Sequence, residues 1–259
     1  MKIFVCVKPV PDTAAKIKVG GGASIDPAGV KFVLGPYDSR AASKAIALRD
    51  AAGDGSEVVA VAAGNPNKGE SEARKRIKDV LALGADRGIL IPDESYENRD
   101  PLAVAKALAA AIKNEGEFDL VFTGRQAVDD QAFSVGPMLA TLLGVPCVTD
   151  VVGLEVDGKT ATVKRAAEGR VEVLSVNLPC VITAQRDLAE EQYPKLKEIL
   201  KANKKKIDTF SFEWPAPAYR VTELSPPPEP AAGKIVGEGP DAVPELVRLL
   251  REEAKALSF

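Results

Sequence analysis

At 259 residues with 46% hydrophobic side chains, the chain is long enough to bury a full core, in one large domain or one domain with an appendage. Its 34 Lys and Arg stand against 37 Asp and Glu, so there is no overall field to hold a nucleic-acid backbone or an anionic membrane. No apolar run approaches the roughly 18 to 20 residues that span a bilayer, and the apolar stretch at the amino terminus is too short for a secretory signal, which predicts a cytoplasmic protein with no stable membrane insertion.

The first 145 residues alternate short β-branched runs with longer segments of helical period, the pattern of successive βα units around a parallel sheet. Strands are predicted at residues 2–7, 57–62, 88–91 and 120–123. Between them, apolar faces recur at helical spacing: Ala73, Ile77, Val80 and Leu81; Ala105, Leu108, Ala109 and Ile112; Val135, Met138, Leu139, Leu142 and Leu143. The three glycines at 20–22 read as a loop. After Val145 the style changes. Residues 160–164 and 171–176 are predicted strands, and Asp157-Gly158 and Glu168-Gly169 supply turns for an antiparallel hairpin inserted beside the sheet. Residues 179–184 read as one more buried strand. An amphipathic helix at 193–201, the basic run Lys204-Lys205-Lys206 and a short extended stretch follow. The proline-rich segment 225–230 leads to a last helix at 241–257. The expected organisation is an α/β domain over residues 1–224, with 225–259 as a linker and arm reaching another surface.

With no histidine in the chain, a Ser-His-Asp or Cys-His nucleophile and a histidine metal site are excluded. Cys6, Cys147 and Cys180 lie far apart in apolar runs and read as buried reduced thiols, neither a zinc knuckle nor a redox pair. In an open parallel sheet, ligands bind outside the carboxyl ends of the strands. The loops to watch are therefore residues 5–12, residues 34–40, which open a helix, residues 60–66 and, above all, residues 121–137. Here Gly124 permits close backbone approach and Asp129 or Asp130 can cap the following helix, whose first-turn N–H groups offer an anion site. Glycine and aspartate at such a junction are also ordinary turn and capping residues. Neither G-x-G-x-x-G nor G-x-x-x-x-G-K-[ST] occurs, so the residues alone stop at an α/β protein with a candidate nucleotide site.

Over essentially its whole length the sequence resembles the electron-transfer flavoprotein β-subunit family. The loop that this family writes G-[KR]-Q-A-[IV]-D stands here as Gly124-Arg125-Gln126-Ala127-Val128-Asp129. The signature segment stands as VKRAAEGRVEVLSVNLPCVIT at residues 163–183, with Arg170 where the family has glycine or an acid. The NKKKI run at 203–207 and the proline-rich tail also match. The resemblance implies an adenine nucleotide α-hydrolase-like fold and a heterodimer whose larger α-subunit holds the redox-active FAD, while this subunit holds a structural AMP. It implies a carrier, not an enzyme, with no catalytic residue and no metal: it takes electrons from flavin dehydrogenases such as the acyl-CoA dehydrogenases of fatty acid oxidation. These pass to the respiratory chain through a quinone oxidoreductase.

Carried over by position, the AMP neighbours are Cys6, the turn Gly35-Pro36-Tyr37-Asp38, Ala63 beside Gly64, and the loop from Gly124 through Asp130, Gln131, Ala132, Phe133 and Ser134 to Val135. Gly35 replaces an asparagine common in the family, and Tyr37 falls where relatives place an aromatic near the partner's flavin. A related bifurcating branch binds a second FAD in the same pocket and tends to have Asp-Gly-Asp-Thr where this chain has Asp129-Asp130-Gln131-Ala132, which favours AMP. The resemblance also makes Leu196 an anchor that docks partner dehydrogenases, together with Tyr193, Ile199 and Leu200 and with Lys201 and Lys204–Lys206 beside them. A universal-stress-type nucleotide-binding regulator or an adenine-nucleotide hydrolase is the competing class, and neither accounts for the hairpin or the arm.

Overall fold

A computed structural model describes residues 1–53, 55–66, 71–229 and 232–257. In chain order the elements are β1 (Lys2–Cys6), β2 (Pro9–Pro11), β3 (Val19–Gly21), β4 (Ser24–Ile25), β5 (Phe32–Leu34), α1 (Pro36–Ala52), β6 (Glu57–Gly64), α2 (Glu72–Leu83), β7 (Arg87–Pro92), α3 (Pro101–Asn114), β8 (Leu120–Gly124) and α4 (Val135–Leu143). They continue with β9 (Cys147–Asp157), β10 (Thr160–Ala167), β11 (Arg170–Asn177), β12 (Cys180–Ala184), α5 (Leu196–Ala202), β13 (Ile207–Thr209) and α6 (Val243–Glu252). Two compact units emerge, Met1–Leu224 and Ser225–Phe259.

The first unit is an α/β layer structure on one nine-stranded sheet of order β11-β10-β9-β12-β8-β1-β6-β7-β13. Strand residues alternate between two cores, as the two-residue period of a strand requires. Ile3 and Val5 face α1 and α2 through Ala41, Ala45, Ile77 and Leu81, whereas Phe4 and Cys6 face α3 and α4 through Leu108, Ile112 and Leu139. Helix ends follow local chemistry. Pro36 opens α1 at its first position, Asp100 caps α3 by accepting from the Ala103 N–H at 2.8 Å, and Gly144 closes α4 in the left-handed conformation.

The predicted strands and helices of the first 145 residues are present, and several later expectations are corrected. The predicted antiparallel hairpin, β10-β11, is present, and it joins the edge of the main sheet. β9 pairs in parallel with β12, Val181 opposite Cys147 and Ile182 opposite Val148, so the antiparallel meander β9-β10-β11 lengthens the same sheet. Helix α5 begins at Leu196, because Pro194 biases Tyr193 away from helical backbone. The last helix ends at Glu252, where the N–H groups of Glu253 and Ala254 both turn back to the Leu249 carbonyl and Lys255 takes φ 49°. The three-glycine stretch lies in the small β3-β4 hairpin, with Gly21 and Gly22 at positive φ. Pro230, at the end of the proline-rich segment, lies outside the described residues. Cys6 and Cys180 are buried and Cys147 half-buried, all three free.

In the second unit α6 carries a surface ion-pair chain, Arg248 bridging Glu245 and Glu252 at 2.7 Å each, and leaves Val243 and Leu246 exposed.

Candidate functional site

From β1 the chain moves through β6 to β7 on one side, then returns to β8 and continues to β12 on the other. The strand order therefore reverses between β1 and β8, and the crevice outside their carboxyl ends is where an open α/β sheet places a ligand. The two strands share three rungs, Ile3–Leu120, Phe4–Val121 and Val5–Phe122. Beyond these, β1 stays with β6 while β8 stays with β12.

Into this split projects Asp38, from the first turn of α1. Its carboxylate accepts the Lys8 N–H at 2.9 Å and the Gly124 N–H at 3.1 Å. Burial pushes its carboxyl up to about 7; the two N–H donors and the Lys8 charge oppose this, and Asp129 adds to it. Gly124 is needed for this approach, since a Cβ there would lie 2.5 Å from Asp38 Oδ1.

The loop from Gly124 to Ser134 closes over the same edge. Arg125 sends its N–H to the Ala184 carbonyl at 3.0 Å. Its guanidinium lies 4.8 Å from the Phe133 ring centre, 6.0 Å from that of Tyr37 and 3.0 Å from Asp150 Oδ1. Asp129 and Asp130 both accept from Lys8 Nζ, at 2.9 and 2.8 Å. Burial works against the Lys8 ammonium, but Tyr96 and the two aspartates more than offset it and hold its pKa above the ordinary lysine value. Neither aspartate caps α4, contrary to the sequence expectation. Asp130 instead accepts from the Ala132 N–H, and Gln131 and Phe133, at φ 49° and 54°, carry the chain on to Ser134, which precedes the helix without a side-chain cap. Ala127 and Val128 are half-buried. The side-chain oxygen of Gln126 is buried and has no hydrogen-bond partner among the described residues. Val135 begins α4, whose first turn sits directly on the sheet: a Cβ on Gly136 would come within 2.6 Å of Thr183.

The structure thus brings Tyr37, Asp38 and the 124–134 loop together. Cys6 points into the core on the α3 and α4 face, its thiol pKa raised by burial. Ala63 and Gly64 end β6 on the same carboxyl edge, where Gly64 lets α2 pack through Ala73. Lys8, Tyr96 and Asp150 were not named from sequence; for Lys8 the signal was a cation immediately after the first strand.

At the other feature singled out, Tyr193, Leu196 and Leu200 are 80, 73 and 60% exposed and Ile199 is 42% exposed, with Ala202 the buried residue of α5. The basic run beside it is not one charged surface. Lys205 turns in to the Leu81 and Ala85 carbonyls at the end of α2, and Lys206 pairs with Asp208.

The family described as "Electron transfer flavoprotein domain" matches residues 23–213, a stretch that holds every site segment except that of Cys6 and Lys8. The chain is 36% identical over 266 residues to the electron transfer flavoprotein subunit beta of Bacillus subtilis (strain 168), covering 99% of this chain and 100% of the relative. The chain belongs to the electron transfer flavoprotein β-subunit family. Other relatives of this family carry different names. The caffeyl-CoA reductase-Etf complex subunit CarD of Acetobacterium woodii is 35% identical over 82% of this chain and 79% of its own length. The acryloyl-CoA reductase electron transfer subunit gamma of Anaerotignum propionicum is 33% identical over 82% of this chain and 78% of its own. As an electron transfer flavoprotein subunit the chain has no membrane-crossing helix among the described residues, nor a cluster of metal-ligating side chains there.

Proposed function

We propose that this chain is the AMP-holding β-subunit of a heterodimeric electron transfer flavoprotein of the cytoplasm. A larger α-subunit would hold the redox-active FAD, accept electrons from flavin dehydrogenases such as acyl-CoA dehydrogenases, and pass them through a quinone oxidoreductase to the respiratory chain. The observation that carries the reading is the Gly124–Asp129 loop standing at the switch point between β1 and β8, with the buried Gln126 oxygen lacking a partner among the described residues. An adenine or ribose donor suits that oxygen, and the loop from Gly124 to Val135, Tyr37 and the residues at the end of β6 would enclose the nucleotide. AMP supplies no chemistry there; the chain's part is to bind and to hold the partner's flavin domain in reach.

Asp130, where the bifurcating branch tends to have glycine, adds bulk and negative charge beside the place a second FAD's longer pyrophosphate chain would need, which supports AMP. Similarity to subunits named for reductase complexes supports a second reading, a bifurcating-type subunit with FAD in this pocket. The exposed side chains of Tyr193, Leu196, Ile199 and Leu200 would dock the dehydrogenase, an apolar anchor being the usual form of an interface hot spot. Residues 225–259, a separate unit whose helix leaves Val243 and Leu246 exposed, would reach the α-subunit.

Co-expression with the α-subunit tests this. A yellow complex of two chains is expected, and the chain alone should be colourless. Stoichiometric flavin that reduces and reoxidises on the chain alone, or a colourless homodimer from the native source, would overturn the reading.

A further inference from the structure

The parallel ladder between β1 and β8 stops at the Val5–Phe122 rung, and one side chain from a third element fills the gap beyond it. Each oxygen of the Asp38 carboxylate serves one strand end: Oδ2 accepts from the Lys8 N–H at 2.9 Å and Oδ1 from the Gly124 N–H at 3.1 Å. Asp38 is 8% exposed, and the glycines on either side leave it room, since a Cβ would lie 3.1 Å from Oδ2 at Gly35 and 2.5 Å from Oδ1 at Gly124. Both donors open loops of the crevice. Lys8 reaches across with its own side chain to Asp129 and Asp130, and Gly124 is the first residue of the nucleotide loop.

We infer that Asp38 is a positioning residue for the nucleotide site, its carboxylate standing in for the missing rungs of the β1-β8 ladder so that α1 fixes the spacing of the two loops that frame the crevice. This rests on the reading of the crevice as a nucleotide site. An asparagine of the same size cannot do the same work. It has one acceptor oxygen, and its NH2 would face the second backbone donor.

The test is residue-resolved amide hydrogen exchange, together with the AMP retained through gel filtration, on the full chain with its partner subunit near pH 8, where the Asp38 carboxylate is largely ionised. In the wild type the Lys8 and Gly124 amides should be protected. In Asp38→Asn both should exchange at least roughly tenfold faster and AMP retention should fall by a similar factor, while the Val61 and Ile89 amides of the β6-β7 region keep their protection. Gly124→Ala, which crowds the carboxylate from the other side, should give the same two changes and serves if the first variant does not fold. Unprotected Lys8 and Gly124 amides in the wild type would overturn the inference without any variant. Unchanged AMP in Asp38→Asn despite fast exchange would remove the positioning role and leave the nucleotide reading standing. A wild type that holds no AMP, but whose two amides lose protection in Asp38→Asn, would leave the staple and sink the nucleotide reading.

Discussion

A carboxylate taken out of water and held by two backbone N–H groups lowers the stability of the fold that contains it whenever its charge is not fully compensated. Asp38 is such a group, with a carboxyl at about 7 against an ordinary 3.8. Because the folded value lies above the unfolded one, the folded chain binds this proton more tightly than the unfolded chain. The contribution is fully present below the unfolded value and is lost as pH rises through about 7. With no histidine in the sequence, few other side chains titrate in that window. Denaturant unfolding of the full chain near pH 5 and near pH 8 should therefore show stability falling by about 2 kcal/mol in the wild type. In Asp38→Asn the fall should nearly vanish, and an equal fall in both proteins would clear Asp38 of causing it. The resemblance named this residue as a nucleotide neighbour, but not the backbone groups that its carboxylate holds. Its bonds join positions 8, 38 and 124, and no local pattern records a contact among three such distant segments.

At the scale of elements, α5 is seven residues long, too short to persist by helical propensity alone. Lys205, donating to two carbonyls at the end of α2, fastens the segment that follows it. What α5 presents outward, Leu196 foremost, adds little burial to the fold. Leu196→Ala should accordingly change stability by less than about 0.5 kcal/mol while weakening partner-dependent flavin reduction at limiting concentration by at least roughly tenfold. A clear loss of melting temperature with normal electron transfer would make Leu196 a core residue and end the docking assignment. Elements whose burial is decided by their own composition, β1, β6, β7 and β8 among them, were legible to within a residue or two. The place of the β9-β10-β11 meander was not, because its union with the sheet depends on β9 meeting β12 more than thirty residues later. The three-residue strands β2 and β5 were missed for another reason: two prolines in residues 9–11 speak against a strand, and the pair forms only a small separate sheet.

For the whole molecule, the reversal of strand order between β1 and β8 is the feature from which the rest follows. It opens one crevice at the carboxyl edge, sets the Gly124–Asp129 loop on one side and Lys8 on the other, and leaves a buried oxygen of Gln126 without a partner among the described residues. The loop motif was legible in sequence, but its opposition to Lys8 and Asp38 was not. The chain belongs to the electron transfer flavoprotein β-subunit family, matched over residues 23–213, and the proposed occupant of this crevice is AMP. The most direct test is the ligand inventory of the purified two-subunit complex, released by acid and identified by mass spectrometry. The account predicts about one AMP and one FAD per heterodimer; two FAD and no AMP would contradict it.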